Sequence, residues 1–191
     1  MGVKVARVTH RKAIMRHRRP SLVDLFVILG LFLLIGAFSF ATAGAMSETK
    51  NRIMCASNLR QIGQAILLYS NDNRGVYPET VDQLLLTQDI TADVFNCPAS
   101  NDTPAPGADA KAQVKVLHTP GHLSYVYVGK GMNNSAPADS VVLYEPLTNH
   151  IDGGNFFWGD GHVSYEGKKY AEFLIKEVQA GHNPPPPYRG Q

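Results

Sequence analysis

The sequence predicts an α+β chain: a long N-terminal helix, with a membrane half and an amphipathic half, packed on a small antiparallel β-sheet. Three observations predict it. Residues Leu25 to Met46 form an apolar run of 22 residues without a charge, enough for a helix to cross the hydrocarbon core of a bilayer. Beyond it, Cys55, Leu59, Ile62, Ile66 and Tyr69 recur at steps of 4, 3, 4 and 3, the one-sided spacing of a helix lying on a core. The C-terminal third then holds short runs rich in Val, Tyr and Phe between turn residues, which read as strands.

Charge sets the topology. Of 18 Lys/Arg and 16 Asp/Glu in the chain, seven cations (Lys4, Arg7, Arg11, Lys12, Arg16, Arg18, Arg19) lie in residues 1–19, which carry no acid. Lys/Arg bias beside a spanning segment keeps that end in the cytoplasm. The expected organisation is a basic cytoplasmic leader over 1–19, a transmembrane helix segment over 20–46, an exported α+β domain over 47–180 and a Pro-rich tail over 181–191. The expected location is single-pass in an inner membrane, with the C-terminal domain in the periplasm or at the cell surface. Apart from the leader cations and Asp24, 11 Lys/Arg face 15 Asp/Glu. The exported part is thus acidic and lacks the Lys/Arg stripe that binding of nucleic acid needs.

The elements follow in order. Pro20 is tolerated in a first helical turn, where its missing N–H has no intrahelical partner. Ser21 and Asp24 suit a helix start, where the dipole favours an acid. A helix from 21 to 71 would be about 75 Å long, and Asn71 to Gly75 ends it. Thr80 to Leu86 reads as a short helix capped by Thr80. Asp93 to Pro98 reads as extended or looped, and residues 99–113, rich in Ala, Pro, Asp and Gly, as a surface loop. Leu123 to Val128 and Ser140 to Glu145 read as strands. Asn155 to Trp158 and His162 to Tyr165 flank Gly159-Asp160-Gly161 as a hairpin, and Tyr170 to Gln179 closes with a helix. The Pro184 to Pro187 tail reads as extended and loose.

The two cysteines, Cys55 and Cys97, are an even pair in a domain expected outside the cytosol, where a disulfide is favoured. Such a bond closes a 42-residue segment, a stabilisation of about 4 kcal/mol in the chain-entropy account. Two buried thiols are the alternative. Neither cysteine belongs to a C-x-x-C motif, which weighs against a zinc knuckle or redox catalysis.

Four stretches carry a resemblance. Pro20-Ser21-Leu22-Val23-Asp24-Leu25 resembles the N-terminal motif of type IV pilins and pseudopilins, in which a Gly precedes Phe-Thr-Leu-Ile-Glu-Leu. Cys55 to Ala65 with Tyr69 to Asn73, and Phe95-Asn96-Cys97-Pro98, look like stretches of pilin-like proteins abundant in Planctomycetes. His150, nine residues, then Asp160-Gly161 matches their H-x9-D-G motif. The resemblance covers most of the chain. It implies a membrane-anchored structural subunit of a filament or secretion pseudopilus, with the membrane, prepilin peptidase and other pilin-like subunits or further copies of itself as partners. By the same resemblance Arg19, Pro20, Ser21 and Asp24 occupy the processing and assembly motif. Here the sequence departs from the family: Arg19 stands at its Gly, Pro20 at its Phe and Asp24 at its Glu.

No nucleophile motif, phosphate loop or H-E-x-x-H is present, so the expectation is a non-enzyme with no cofactor. Two alternatives stay open. Ala41-Thr42-Ala43 is an A-x-A site, which would make the chain a secreted or anchored monomeric ligand-binding module. Glu145, His150, Asp160 and His162 offer ligand types suited to Zn²⁺ or, through oxygens, to Ca²⁺, which would suit a metal-dependent exported enzyme. The competing reading is structural: Asp160 bonds the backbone of its own turn and His150 reaches across to hold it.

Overall fold

The computed structural model describes residues 21–190, with the side chains of residues 36–46 outside that description. Two compact units divide the chain, Met1–Ala43 and Gly44–Gln191. α1 runs from Leu22 to Asp72. Its start is a capping box: the Ser21 N–H donates to Asp24 Oδ2 at 2.8 Å and the Asp24 N–H to Ser21 Oγ at 3.3 Å, satisfying amides that have no intrahelical acceptor.

In the first unit, the described apolar side chains from Leu22 to Ile35 are exposed all round, with Leu22 at 75% and Leu34 at 71%. Among the described residues, no helix is long and apolar enough to cross a membrane. The expected span ran to Met46, and its part from residue 36 lies outside the described side chains. What is described falls short of the about 20 apolar residues a crossing requires.

The second unit is α+β, as the sequence predicts. Four strands, β1 (Val126–Tyr127), β2 (Val141–Tyr144), β3 (Gly153–Trp158) and β4 (Val163–Gly167), form an antiparallel sheet in chain order. α2 (Asp82–Thr87), a 3-10 turn at Ala92–Phe95 and α3 (Ala110–Leu117) precede it, and α4 (Lys168–Gln179) follows. Period-two alternation along β3 sends Phe157 into a core with Cys55, Leu59, Ile62 and Ile66 of α1, while Phe156 and Trp158 meet Ala171 and Leu174 of α4. An irregularity in the β2–β3 register between Val141 and Leu143 lets both Val142 and Leu143 join the α1 side. The sheet is therefore a middle layer, with the lower half of α1 on one face and α4 on the other.

Gly63 sets how closely α1 approaches. A Cβ built there would collide with the Phe157 ring. The absent side chain lets the ring press against the helix backbone, so this glycine is spent on contact, not on a turn.

Four expectations need correction. Residues 99–113 are not all loop: Asp109 caps α3 by accepting from the Ala112 N–H at 2.8 Å, and Leu117 is buried in the main core. Asp109 is an N-cap residue type that the Ala/Pro/Gly composition masked. The short helix begins at Asp82 with Val81, not Thr80, at its N-cap position. β1 keeps only two of the six residues expected; on its N-terminal side the Ser124 N–H donates to Phe95 O at 2.9 Å and not to β2. Nor is the tail loose: the Asn183 amide accepts from the Val141 N–H at 2.8 Å and donates to its carbonyl at 2.7 Å, and Tyr188 packs on Tyr170 and Phe173.

The cysteines form the expected Cys55–Cys97 disulfide, with Cα atoms 5.2 Å apart, tying α1 to the segment after the 3-10 turn. Gly63→Ala should lower stability by about 1–3 kcal/mol through overpacking, whereas Gly167→Ala, where a Cβ meets nothing within 4 Å, should leave it nearly unchanged. Urea denaturation of the two variants measures the difference.

Candidate functional site: a buried histidine between two carboxylates

The end of β2 and the turn after it place two ionisable groups in the interior. Glu145 follows β2 directly, and its side chain is 0% exposed, as is that of His150. His150 Nε2 lies 3.2 Å from Glu145 Oε1, and His150 Nδ1 lies 2.8 Å from Glu48 Oε1 on α1. The imidazole thus bridges two carboxylates that the sequence separates by nearly a hundred residues. Glu145 Oε2 accepts from the Asn155 backbone N–H at 3.0 Å and from Asn155 Nδ2 at 2.7 Å. Asn155 Nδ2 also donates to the Arg52 carbonyl at 3.3 Å. Every polar atom of the Glu145 carboxyl has a partner, as burial demands.

An outer ring surrounds this centre. Arg52 donates from Nε to Glu48 Oε1 at 3.2 Å and reaches Asp152 Oδ1 at 2.6 Å. Its guanidinium lies 4.7 Å from the centre of the Tyr165 ring, whose hydroxyl donates to the same Asp152 oxygen at 2.6 Å. This ring is partly solvated, so its ion pairs contribute little alone and act mainly by orienting Glu48.

The electrostatics follow from the partners. Burial by itself would depress the His150 pKa, but the adjoining Glu145 and Glu48 carboxylates outweigh it and raise it above the ordinary 6.5. Burial would raise Glu48, yet hydrogen bonds from His150 and Arg52 win and lower it below the ordinary 4.5. The Tyr165 hydroxyl, then Arg52, holds Asp152 low.

The four residues offered by sequence as a metal set separate into two pairs. Glu145 and His150 meet in the core. Asp160 and His162 sit on the β3–β4 turn, where Asp160 Oδ1 accepts from the His162 N–H at 3.1 Å and also contacts the His162 ring. Asp160 therefore bonds the backbone of its own turn, and Gly161 supplies the turn's positive φ of 88°. His150 does not hold that turn: its ring nitrogens are engaged by Glu48 and Glu145, because the chain between β2 and β3 folds back toward α1. Among the described residues, the one group of three or more potential ligands is Cys55, Cys97, Glu145 and His150, whose ligand atoms lie within 4.8 Å of one another. Of the processing motif, Ser21 and Asp24 form the cap of α1, while Arg19 and Pro20, like the rest of the leader, lie outside the described residues.

Sequence reasoning missed Glu48, Arg52, Asn155 and Tyr165. A signal existed for the first two. Glu48 and Arg52 extend the Cys55, Leu59, Ile62, Ile66 stripe backwards at the same 4 and 3 spacing, so polar residues occupy core-facing positions of α1. Asn155 shares the alternation of Phe157 and so faces α1 as well.

Two outcomes follow. His150→Ala should cost about 3–5 kcal/mol, since it leaves the Glu145 carboxylate buried without its cationic partner, a loss readable in a thermal melt. For pH, the raised His150 contributes stability that is complete below about 6.5 and fades as pH rises through its folded value; the lowered Glu48 contributes stability that is complete above about 4.5 and fades as pH falls. The unfolding free energy should therefore peak between those values in wild type, and the alkaline decline should flatten in His150→Ala. Comparison with family models, with curated proteins and with solved structures finds no match to this chain.

Proposed function

We propose that the chain is a pilin-like structural subunit, anchored in an inner membrane by the N-terminal part of α1 and displaying the Gly44–Gln191 unit on the periplasmic or outer side. The observation that supports this most is α1 itself. It opens on a self-contained Ser21/Asp24 cap, carries exposed apolar side chains on all sides from Leu22 to Ile35, and continues into the core of a small α+β unit. An apolar surface of that extent needs another phase or another chain to cover it, and the basic leader assigns the cytoplasmic side. Ile53, Met54 and Leu68 remain 65%, 44% and 56% exposed on the buried half of the same helix, which favours contact with neighbouring subunits.

The test is fractionation joined to mass spectrometry of the mature N-terminus. A membrane-bound chain that begins at Pro20 or Ser21, or retains its leader, supports the anchored subunit. A soluble chain that begins at Gly44 or Met46 sinks it and establishes a secreted module. Chemical cross-linking in membranes should also give a ladder of multimers, which Ile53→Lys and Leu68→Lys shorten while the far-ultraviolet circular dichroism stays unchanged.

A further inference from the structure

The disulfide and the buried histidine are one cluster. Cys97 Sγ lies 3.7 Å from His150 Nε2, the same nitrogen that sits 3.2 Å from Glu145 Oε1. The four side chains Cys55, Cys97, Glu145 and His150 are all buried, with ligand atoms no more than 4.8 Å apart. We propose that Cys55, Cys97, His150 and Glu145 form a redox-gated site for a thiophilic divalent cation of the Zn²⁺ class, closed while the disulfide stands and completed when it is reduced.

Geometry carries the proposal in three respects. Tetrahedral zinc with bonds of about 2.3 Å to sulfur and about 2.0 Å to nitrogen or oxygen spaces its ligands about 3.3–3.8 Å apart. The 3.7 Å Sγ to Nε2 and 3.2 Å Nε2 to Oε1 separations already match two such edges. Four edges of the tetrahedron remain, and all four ligand atoms already lie within 4.8 Å of one another, so release of the S–S bond lets them draw to those spacings.

The outer partners of the two non-sulfur ligands are also those of a metal site. A metal-bound imidazole passes its second ring N–H to a carboxylate, and a metal-bound carboxylate is itself hydrogen-bonded. Here Nδ1 faces Glu48 Oε1 at 2.8 Å, and Glu145 Oε2 is held by both nitrogens of Asn155. An orientation that leaves Nε2 and Oε1 converging beside the sulfurs is thus imposed from outside the cluster.

Access is provided as well. A surface cavity of about 370 Å³ has Cys97, Met54 and Asn58 on its wall together with Asp93 and Asp102, and two acids at such an opening favour cation entry. Thiolate and imidazole together select Zn²⁺ over Ca²⁺ or Mg²⁺.

The chemistry balances with a dithiol as reductant. The dithiol delivers two electrons and two protons to the disulfide; the S–S bond breaks, two S–H bonds form, and the dithiol closes to its own disulfide. Binding of the cation then releases both thiol protons and the His150 Nε2 proton to solvent, each sulfur and Nε2 giving its electron pair to the metal while Nδ1 keeps its proton toward Glu48. The reverse path is exchange with the reductant's own disulfide: it takes the two electrons and, with two protons from solvent, returns to the dithiol, while the Cys55–Cys97 bond re-forms and the ion is expelled.

The experiment uses the full chain in detergent micelles. Oxidised protein, and protein reduced with a dithiol that is then removed under anaerobic conditions, are each equilibrated with Zn²⁺ or Co²⁺. Elemental analysis should find about one ion per reduced chain and less than a tenth of that on the oxidised chain, and reduced protein with Co²⁺ should show a sulfur-to-cobalt charge-transfer band. Glu48→Gln, which leaves all four ligands in place but changes the partner of His150 Nδ1, should weaken binding about 10–100-fold, and Cys55→Ser with Cys97→Ser should abolish it. A reduced wild-type chain that takes up no ion, or an oxidised chain that takes up as much, overturns the proposal without any substitution. Undiminished binding by His150→Ala or Glu145→Gln overturns the ligand set. Neither result bears on membrane anchoring, so this inference stands or falls apart from the subunit reading.

Discussion

The His150 imidazole, held between Glu48 and Glu145, is the interaction on which the rest of the second unit depends. Neither side chain of the inner pair is exposed, so each must be satisfied by protein. Satisfying both fixes the distance from the end of β2 to α1, because Glu48 can reach Nδ1 only if α1 lies against that face of the sheet. Breaking such a buried arrangement leaves an uncompensated charge, whereas replacing it wholesale by hydrophobic residues is often tolerated. Its value is therefore in specifying one arrangement of helix and sheet over neighbouring ones, which the non-directional apolar packing between them does not do.

The disulfide acts on the same junction from a different direction. Cys55 belongs to α1 and Cys97 to the segment after the 3-10 turn, and Asn58, one turn beyond Cys55, donates to the Asn96 carbonyl at 2.8 Å. A covalent bond and a hydrogen bond hold that segment on the helix just where the histidine holds β2. Three parts of the chain meet within one stretch of α1, and this convergence explains how sulfur, nitrogen and oxygen ligands come to lie side by side.

Much of this was legible in the sequence. The Cys55 to Tyr69 stripe marked the helix face, because steps of 3 and 4 bring apolar residues to one side of a helix and scatter them over both faces of a strand. The hairpin around Gly159-Asp160-Gly161 and the closing helix followed from equally local signals. What stayed hidden was whatever depended on distant partners. The late start of β1 goes with a hydrogen bond from Ser124 to Phe95, and no property of residues 123–128 announces it. His150 pointed to a site, but its partner Glu48 reads as a polar break at a membrane boundary until the sheet is laid against it. α3 was obscured by composition, since prolines and glycines before it outweighed a single capping aspartate.

Gly63 and Glu48 lie fifteen positions apart on α1, about 22 Å of helix rise, and each engages the sheet differently. At one end Phe157 seats against bare backbone and acts as a steric pawl; at the other His150 acts as a charged clamp. A helix held at a single point can pivot, and one held by smooth apolar packing can slip by a turn. Held at both points, α1 can do neither, so tension applied along its axis passes into the sheet as load instead of being dissipated by sliding.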